Sequence, residues 1–160
     1  MRNLLKFVIA VTLACAPLGP HGRTHAAPLI WSDHATGFAL GGYDPVAYFT
    51  QRRPKLGHEG IEYRWGGAAW RFLNASNRAA FARHPGVYTP VFAGYDALAL
   101  SKGLTVQGYP TIWAVYKERV YLFSDIASLR AWRRNPEKIT SVARSNWTRL
   151  GKDLPGTSGW

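Results

Sequence analysis

Apolar and polar residues alternate over positions 61–65 and 68–73, on either side of Gly66-Gly67. That dipeptide can take the positive φ angles of a two-residue hairpin turn. The resulting register sets Trp65 opposite Ala68, Tyr63 opposite Trp70 and Ile61 opposite Phe72 on one face, with Glu62 against Arg71 on the other. Residues 111–116 and 119–123 predict a second strand pair around Lys117-Glu118, a poorer turn dipeptide. Helical spacing marks the intervening segments. Ser76 is placed to cap a helix that buries Ala79, Ala80 and Phe81 and ends at Pro85-Gly86. A short helix over 94–102 carries Tyr95, Leu98 and Ala99 on one side and stops at Gly103. Ser124 or Asp125 opens a helix with Ile126, Leu129 and Trp132. After Pro136 a last helix carries Ile139, Val142, Ala143, Trp147 and Leu150 and stops near Gly151. Strands and helices mixed without strict alternation predict a small single α+β domain, two β-hairpins packed by several helices.

Charge and export signals refine that picture. Arg2 and Lys6 precede an apolar run over 7–16, and Thr24-His25-Ala26 offers small residues before Ala27, so residues 1–26 read as a signal peptide. The run is too short to span a membrane. A lipoprotein anchored through Cys15 is the weaker alternative, because Thr12 fits that motif poorly. Residues 27–150 then form the domain, and 151–160, rich in turn residues, a mobile tail. The expected location is outside the cytoplasm, periplasmic or secreted. Beyond residue 26 the chain holds 17 Lys and Arg against 9 Asp and Glu, a formal charge of +8. That surplus suits an anionic envelope surface. The basic residues are scattered, and no nucleic-acid module motif is present. Cys15 and Met1 both fall in the signal, so the exported chain has no sulfur ligand, no disulfide and no thiol nucleophile.

The order of motifs carries a family likeness. GGYDPVAYF, a strand ending in AAWRF, SNRAAFARHPGVYTP, AGYDALALSKG, a strand pair containing VYL and a closing helix with SNW resemble the exported, stand-alone branch of the YHS-domain proteins over roughly residues 36–150. The resemblance implies a link to proposed heavy-metal binding, and no assigned activity. In that branch the second motif usually reads GGYC, and Asp96 stands here in place of the cysteine.

Gly42-Tyr43-Asp44 and Gly94-Tyr95-Asp96 share three residues fifty-two positions apart. One leads into Pro-Val-Ala-Tyr-Phe and the other into Ala-Leu-Ala-Leu-Ser, so the sequence reads them as unrelated turns and not as a repeat. Asp44 before Pro45 is a helix-start signal, and Asp96 suits a helix N-terminus. If the two segments converge, Tyr43, Asp44, Tyr95 and Asp96 form a ligand site. Asp44 and Asp96 with His34 would then offer hard oxygen and nitrogen ligands to a divalent metal of the zinc or manganese class. His58-Glu59 with Glu62 is a weaker cluster, since Glu62 is expected to pair with Arg71.

No nucleophile elbow, phosphate loop or dinucleotide fingerprint is present. The sequence therefore predicts a non-catalytic exported domain that binds a metal or small ligand. The alternative is a metal-free interaction protein resting its basic surface on anionic envelope components. The seven tryptophans are read chiefly as core, with a pocket for a planar or sugar ligand as the second use.

Overall fold

In the computed structural model, which describes residues 30–33 and 35–150, the chain runs through one series of elements twice. The first pass is a 3₁₀ turn at Leu40–Gly42, helix α1 (Ala47–Thr50), strands β1 (Glu62–Trp65) and β2 (Ala68–Arg71), and helices α2 (Ala75–Arg83) and α3 (Pro85–Tyr88). The second is a 3₁₀ turn at Val91–Gly94, helix α4 (Ala97–Ser101), strands β3 (Tyr109–Tyr116) and β4 (Arg119–Phe123), and helices α5 (Ile126–Arg134) and α6 (Pro136–Leu150). Each hairpin is antiparallel. The molecule is thus a small α+β domain.

Backbone hydrogen bonds show that the correspondence is structural. Gly57 N donates to Gly42 O at 2.9 Å and Gly108 N to Gly94 O at 3.0 Å. Asp44 N donates to Lys55 O and Asp96 N to Val106 O, both at 2.8 Å. Tyr43 bridges to Leu56 and Tyr95 to Gln107. Three consecutive left-handed residues precede each tyrosine: Leu40, Gly41 and Gly42 at φ 55°, 55° and 83°, then Phe92, Ala93 and Gly94 at 59°, 55° and 96°. The reading of the two Gly-Tyr-Asp triplets as unrelated is therefore corrected. They are equivalent positions of a duplicated unit, hidden because what the copies share is backbone geometry and hydrogen bonding, with few side chains in common.

The first hairpin has the predicted register, Trp65 with Ala68, Tyr63 with Trp70 and Glu62 with Arg71. Gly66 and Gly67 take φ 60° and 76° in its turn. Lys117 and Glu118 adopt the same left-handed angles, 48° and 57°, without glycine's freedom. The second register still holds from Tyr116–Arg119 to Trp113–Leu122, and an irregularity separates it from the Tyr109–Phe123 pair.

Several helix boundaries differ from expectation. Asn74, not Ser76, caps α2, accepting from Asn77 N at 2.8 Å. Ala79 faces solvent, while Phe81 and Asn77 face inward. Pro85 begins α3 and does not merely end α2, since a proline at a first-turn position lacks only a donor the helix cannot use. The helix predicted over 94–102 shrinks to Ala97–Ser101, and its deepest side chains are Ala97 and Leu100, not Leu98 and Ala99. Asp125 caps α5. Ile126 and Val142 lie on exposed faces of α5 and α6. The predicted signal segment 1–26, His34 and the tail 151–160 lie outside the described residues. Among the described residues no helix is long and apolar enough to cross a membrane.

Each unit gathers its own aromatic core. Tyr48, Trp70, Phe72 and Phe81 build the first, and Leu100, Tyr121, Phe123 and Trp132 occupy the equivalent places in the second. Strand β4 locks them together. Its alternate residues Val120 and Leu122 enter the first cluster, while Tyr121 and Phe123 enter the second. Because successive strand residues point to opposite faces, the apolar run Val120–Phe123 suits a strand buried on both faces.

Gly57 and Gly108 close the two return strands where no side chain fits. A Cβ on Gly108 would lie 2.5 Å from Leu122 Cβ and 2.9 Å from Gly94 O. Gly108→Ala is expected to lower the unfolding free energy by about 2–4 kcal/mol. Gly86→Ala, where a Cβ meets nothing within 4 Å, is expected to stay within about 1 kcal/mol of the parent. Urea denaturation of both variants checks this, and equal effects would refute the close approach.

Candidate functional site

The duplication places Asp44 and Asp96 at equivalent points, each following an extended tyrosine and preceding a short helix. Both are fully buried, and no Lys or Arg pairs with either among the described residues. A buried carboxylate without a cation must be held by hydrogen-bond donors.

Asp44 Oδ1 accepts from Val46 N at 2.8 Å, and Oδ2 accepts from Leu73 N at 2.8 Å and Asn77 Nδ2 at 2.6 Å. Asp96 Oδ1 accepts from Leu98 N at 2.7 Å and Ala99 N at 3.0 Å, capping α4. Its Oδ2 accepts from Ser124 N and Ser124 Oγ, both at 2.7 Å, and from Ser128 Oγ at 2.6 Å. The partners correspond: Leu73 with Ser124 at the end of each hairpin, Asn77 with Ser128 in the first turn of each following helix. Each aspartate thus ties a helix start, a strand end and a second helix to one point.

Burial pushes the Asp96 carboxyl up, but the hydrogen bonds from Ser128, Ser124 and Ala99 together outweigh it and hold the group below the usual carboxylate value. The ionised form is the one the fold requires. Burial also raises the Tyr95 hydroxyl. For Tyr48, burial and then the Tyr43 and Asp44 charges push it up, so it stays a proton donor, bonded to Pro110 O at 2.8 Å.

The hydrogen bonds do not join Tyr43, Asp44, Tyr95 and Asp96 into one network. The two carboxylates share no hydrogen-bond partner. Tyr43 packs on the first core, and Tyr95 lies against both and 5.8 Å from the Trp147 ring. The metal reading meets a chemical obstacle as well: the oxygens already face three donor groups at Asp44 and five at Asp96. A carboxylate offers about four lone-pair positions, and a cation at Asp96 would have to displace donors. No group of three or more His, Cys, Asp or Glu side chains is arranged to hold a metal ion among the described residues. Glu62 pairs with Arg71 at 3.0 Å, as the hairpin register predicts.

The open chemistry lies elsewhere, in surface clefts missed by motif reading. One, about 670 Å³, runs between α1, β3 and the end of α5 and is walled by Phe49, Trp113, Tyr116 and Trp132 with Arg52 and Arg133 at its sides. Among the described residues no acid lines it. The Trp113 ring stands edge-on to Tyr48 with centroids 5.1 Å apart, and the Tyr48–Pro110 hydrogen bond fixes that partner in turn. The sequence signal was the abundance of tryptophan, for which a planar-ligand pocket was the second expected use; the residues that form it were not distinguishable from core. Comparison of the chain with protein-family models, with curated proteins and with solved structures gave no match.

Ser128→Ala removes one donor to Asp96 and is expected to lower stability at neutral pH by about 1–3 kcal/mol. Because the folded carboxyl is held below its unfolded value of about 3.9, its contribution is complete above that pH and is lost as pH falls through the folded value. The gap between parent and Ser128→Ala should therefore narrow as pH falls below about 4. Urea unfolding across that range measures it, and a gap independent of pH would show that Ser128 does not act through the charge.

Proposed function

We propose that this chain is an exported, non-catalytic YHS-like domain that binds a small planar ligand on the aromatic cleft between α1, β3 and α5. The order of motifs along the chain supports the family reading, and the basic and apolar segment at 2–16 supports export. The observation that carries the ligand is the cleft wall. Phe49, Trp113 and Tyr116 keep part of their ring surface open, while Trp132 behind them is buried. The fold does not impose the whole of this wall. Tyr116 and Trp132 have aromatic equivalents in Trp65 and Phe81, but the other wall residues differ between the units: Ser101 corresponds to Phe49, Glu62 to Trp113 and Ala82 to Arg133. Aromatic faces flanked by guanidinium groups suit a flat, electron-rich body.

Thermal unfolding with a panel of planar polycyclic compounds, set beside oligosaccharides, tests the reading. Planar compounds should raise Tm, as ligands that bind only the folded state do, and Trp113→Ala should remove the shift. A shift given by the sugars alone, or one retained in Trp113→Ala, would overturn it.

A second reading rests on charge. Of the 16 Lys and Arg residues among those described, only Arg71 and Lys117 stand in an ion pair with a described carboxylate. Two of the eight described acids, Asp44 and Asp96, are buried and contribute nothing to surface neutralisation by contact. Vesicles containing phosphatidylglycerol should therefore retain the protein at low salt and release it as salt is raised, whereas phosphatidylcholine vesicles should not retain it. Co-sedimentation decides this, and equal retention by both lipids would refute the electrostatic basis.

A further inference from the structure

A second cleft, about 270 Å³, lies among the segment 86–93, the start of β4 and α6. Trp65, Phe92 and Trp147 give it an aromatic floor, and Arg119 and Arg144 are its charged residues, with no acid in the lining among the described residues. The same two arginines also line an adjoining polar cleft with Thr140 and Ser141. The acid of that neighbouring cleft, Glu137, already accepts from Lys117 at 2.6 Å and from the Tyr116 hydroxyl.

Arg119 is incompletely satisfied. Its Nη2 donates to Thr89 O at a long 3.3 Å, and its Nε is buried with no acceptor. An unsatisfied buried donor on a cationic group costs free energy that a methionine of similar reach would avoid. The fold does not call for a cation there. Ala68, the first residue of β2, occupies the equivalent place in the other unit and is buried. Backbone strain collects on the same wall, since Phe92 and Ala93 are held in the left-handed region at φ 59° and 55°. Arg144 is exposed and has no carboxylate partner among the described residues, and neither has Arg119, so neither guanidinium charge is neutralised by a described acid.

We propose that this cleft binds a small amphiphilic carboxylate, its apolar body on Trp65, Phe92 and Trp147 and its carboxylate on Arg119 and Arg144. A planar carboxylate matches the fork of guanidinium donors. The ring faces supply the affinity that an exposed ion pair alone does not. This site is separate from the Trp113 cleft and stands or falls independently of it.

The test titrates the protein with 2-naphthoate and follows tryptophan fluorescence. Three probes run alongside: 2-naphthalenemethanol with the same ring and no charge, octanoate with the charge and a flexible body, and inorganic phosphate. Saturable quenching by naphthoate is expected, with the alcohol at least tenfold weaker and phosphate without effect. Arg119→Met should weaken naphthoate at least tenfold and Arg144→Gln severalfold. Octanoate should compete with naphthoate. Arg119→Met should melt no lower than the parent, because it removes the unpaired donor, and Arg144→Gln lies on the exposed face of α6, so loss of binding reads as loss of the site. Equal binding of acid and alcohol, or undiminished binding in Arg119→Met, would overturn the proposal. Binding abolished by Trp113→Ala but not by Arg119→Met would assign the ligand to the other cleft and overturn it as well.

Discussion

Two buried carboxylates, neither with a cationic partner, organise this chain. Removing an ionised group from water is tolerable only where donors replace its hydration. Asp44 and Asp96 obtain those donors from three segments each: the helix that follows, the end of the next hairpin, and the first turn of the helix after that. The requirement is stringent, and it fixes the relative placement of elements that are individually too short to be stable. Helices of four and five residues, such as α1 and α4, have little stability of their own. Held against a saturated carboxylate and an aromatic core, they become rigid parts of the fold.

The duplication explains why the same device occurs twice and why the result is still one domain. Each unit has its own aromatic cluster, yet β4 feeds both, with Val120 and Leu122 on one side and Tyr121 and Phe123 on the other. The two copies have diverged where the scaffold permits it. Glycines at the first turn, Gly41 and Gly42, correspond to Ala93 and Gly94, and the Gly66-Gly67 turn corresponds to Lys117-Glu118. The second unit therefore carries left-handed backbone on residues that disfavour it. Position-by-position comparison of the units separates what the fold needs, the aspartates and their donors, from what it does not, such as Arg119 opposite Ala68 and Trp113 opposite Glu62.

That separation bears on function. The residues that look most like a site in the sequence, Asp44 and Asp96, are occupied by structure: their oxygens accept from three N–H groups at Asp44 and from five N–H and O–H groups at Asp96. Chemistry open to a ligand sits instead on the aromatic clefts, where guanidinium groups stand with few acids to neutralise them. Short motifs draw attention to invariant-looking polar residues, but a polar residue repeated in sequence serves the backbone as readily as it serves a substrate.

The sequence by itself determined the local structure whose causes are local. The first hairpin register follows from alternation and a Gly-Gly turn, the starts of α5 and α6 from Asp125 and Pro136, and the α+β class from the mixture of periods. It also showed the positive charge and the sulfur-free composition beyond residue 26. Only the tertiary structure decided that Asn77 and Ser128 turn inward to an aspartate thirty or so residues earlier in the chain, that β4 is buried on both faces, and that the two Gly-Tyr-Asp triplets are one feature repeated. A clue did exist in the sequence: Arg83-His-Pro85 and Arg134-Asn-Pro136 lie 51 positions apart, after capped helices of nine residues each. It was illegible because hydrogen bonds to backbone N–H constrain position without constraining side-chain identity, so the copies kept their geometry while Leu73 and Ser124, or Trp70 and Tyr121, drifted apart.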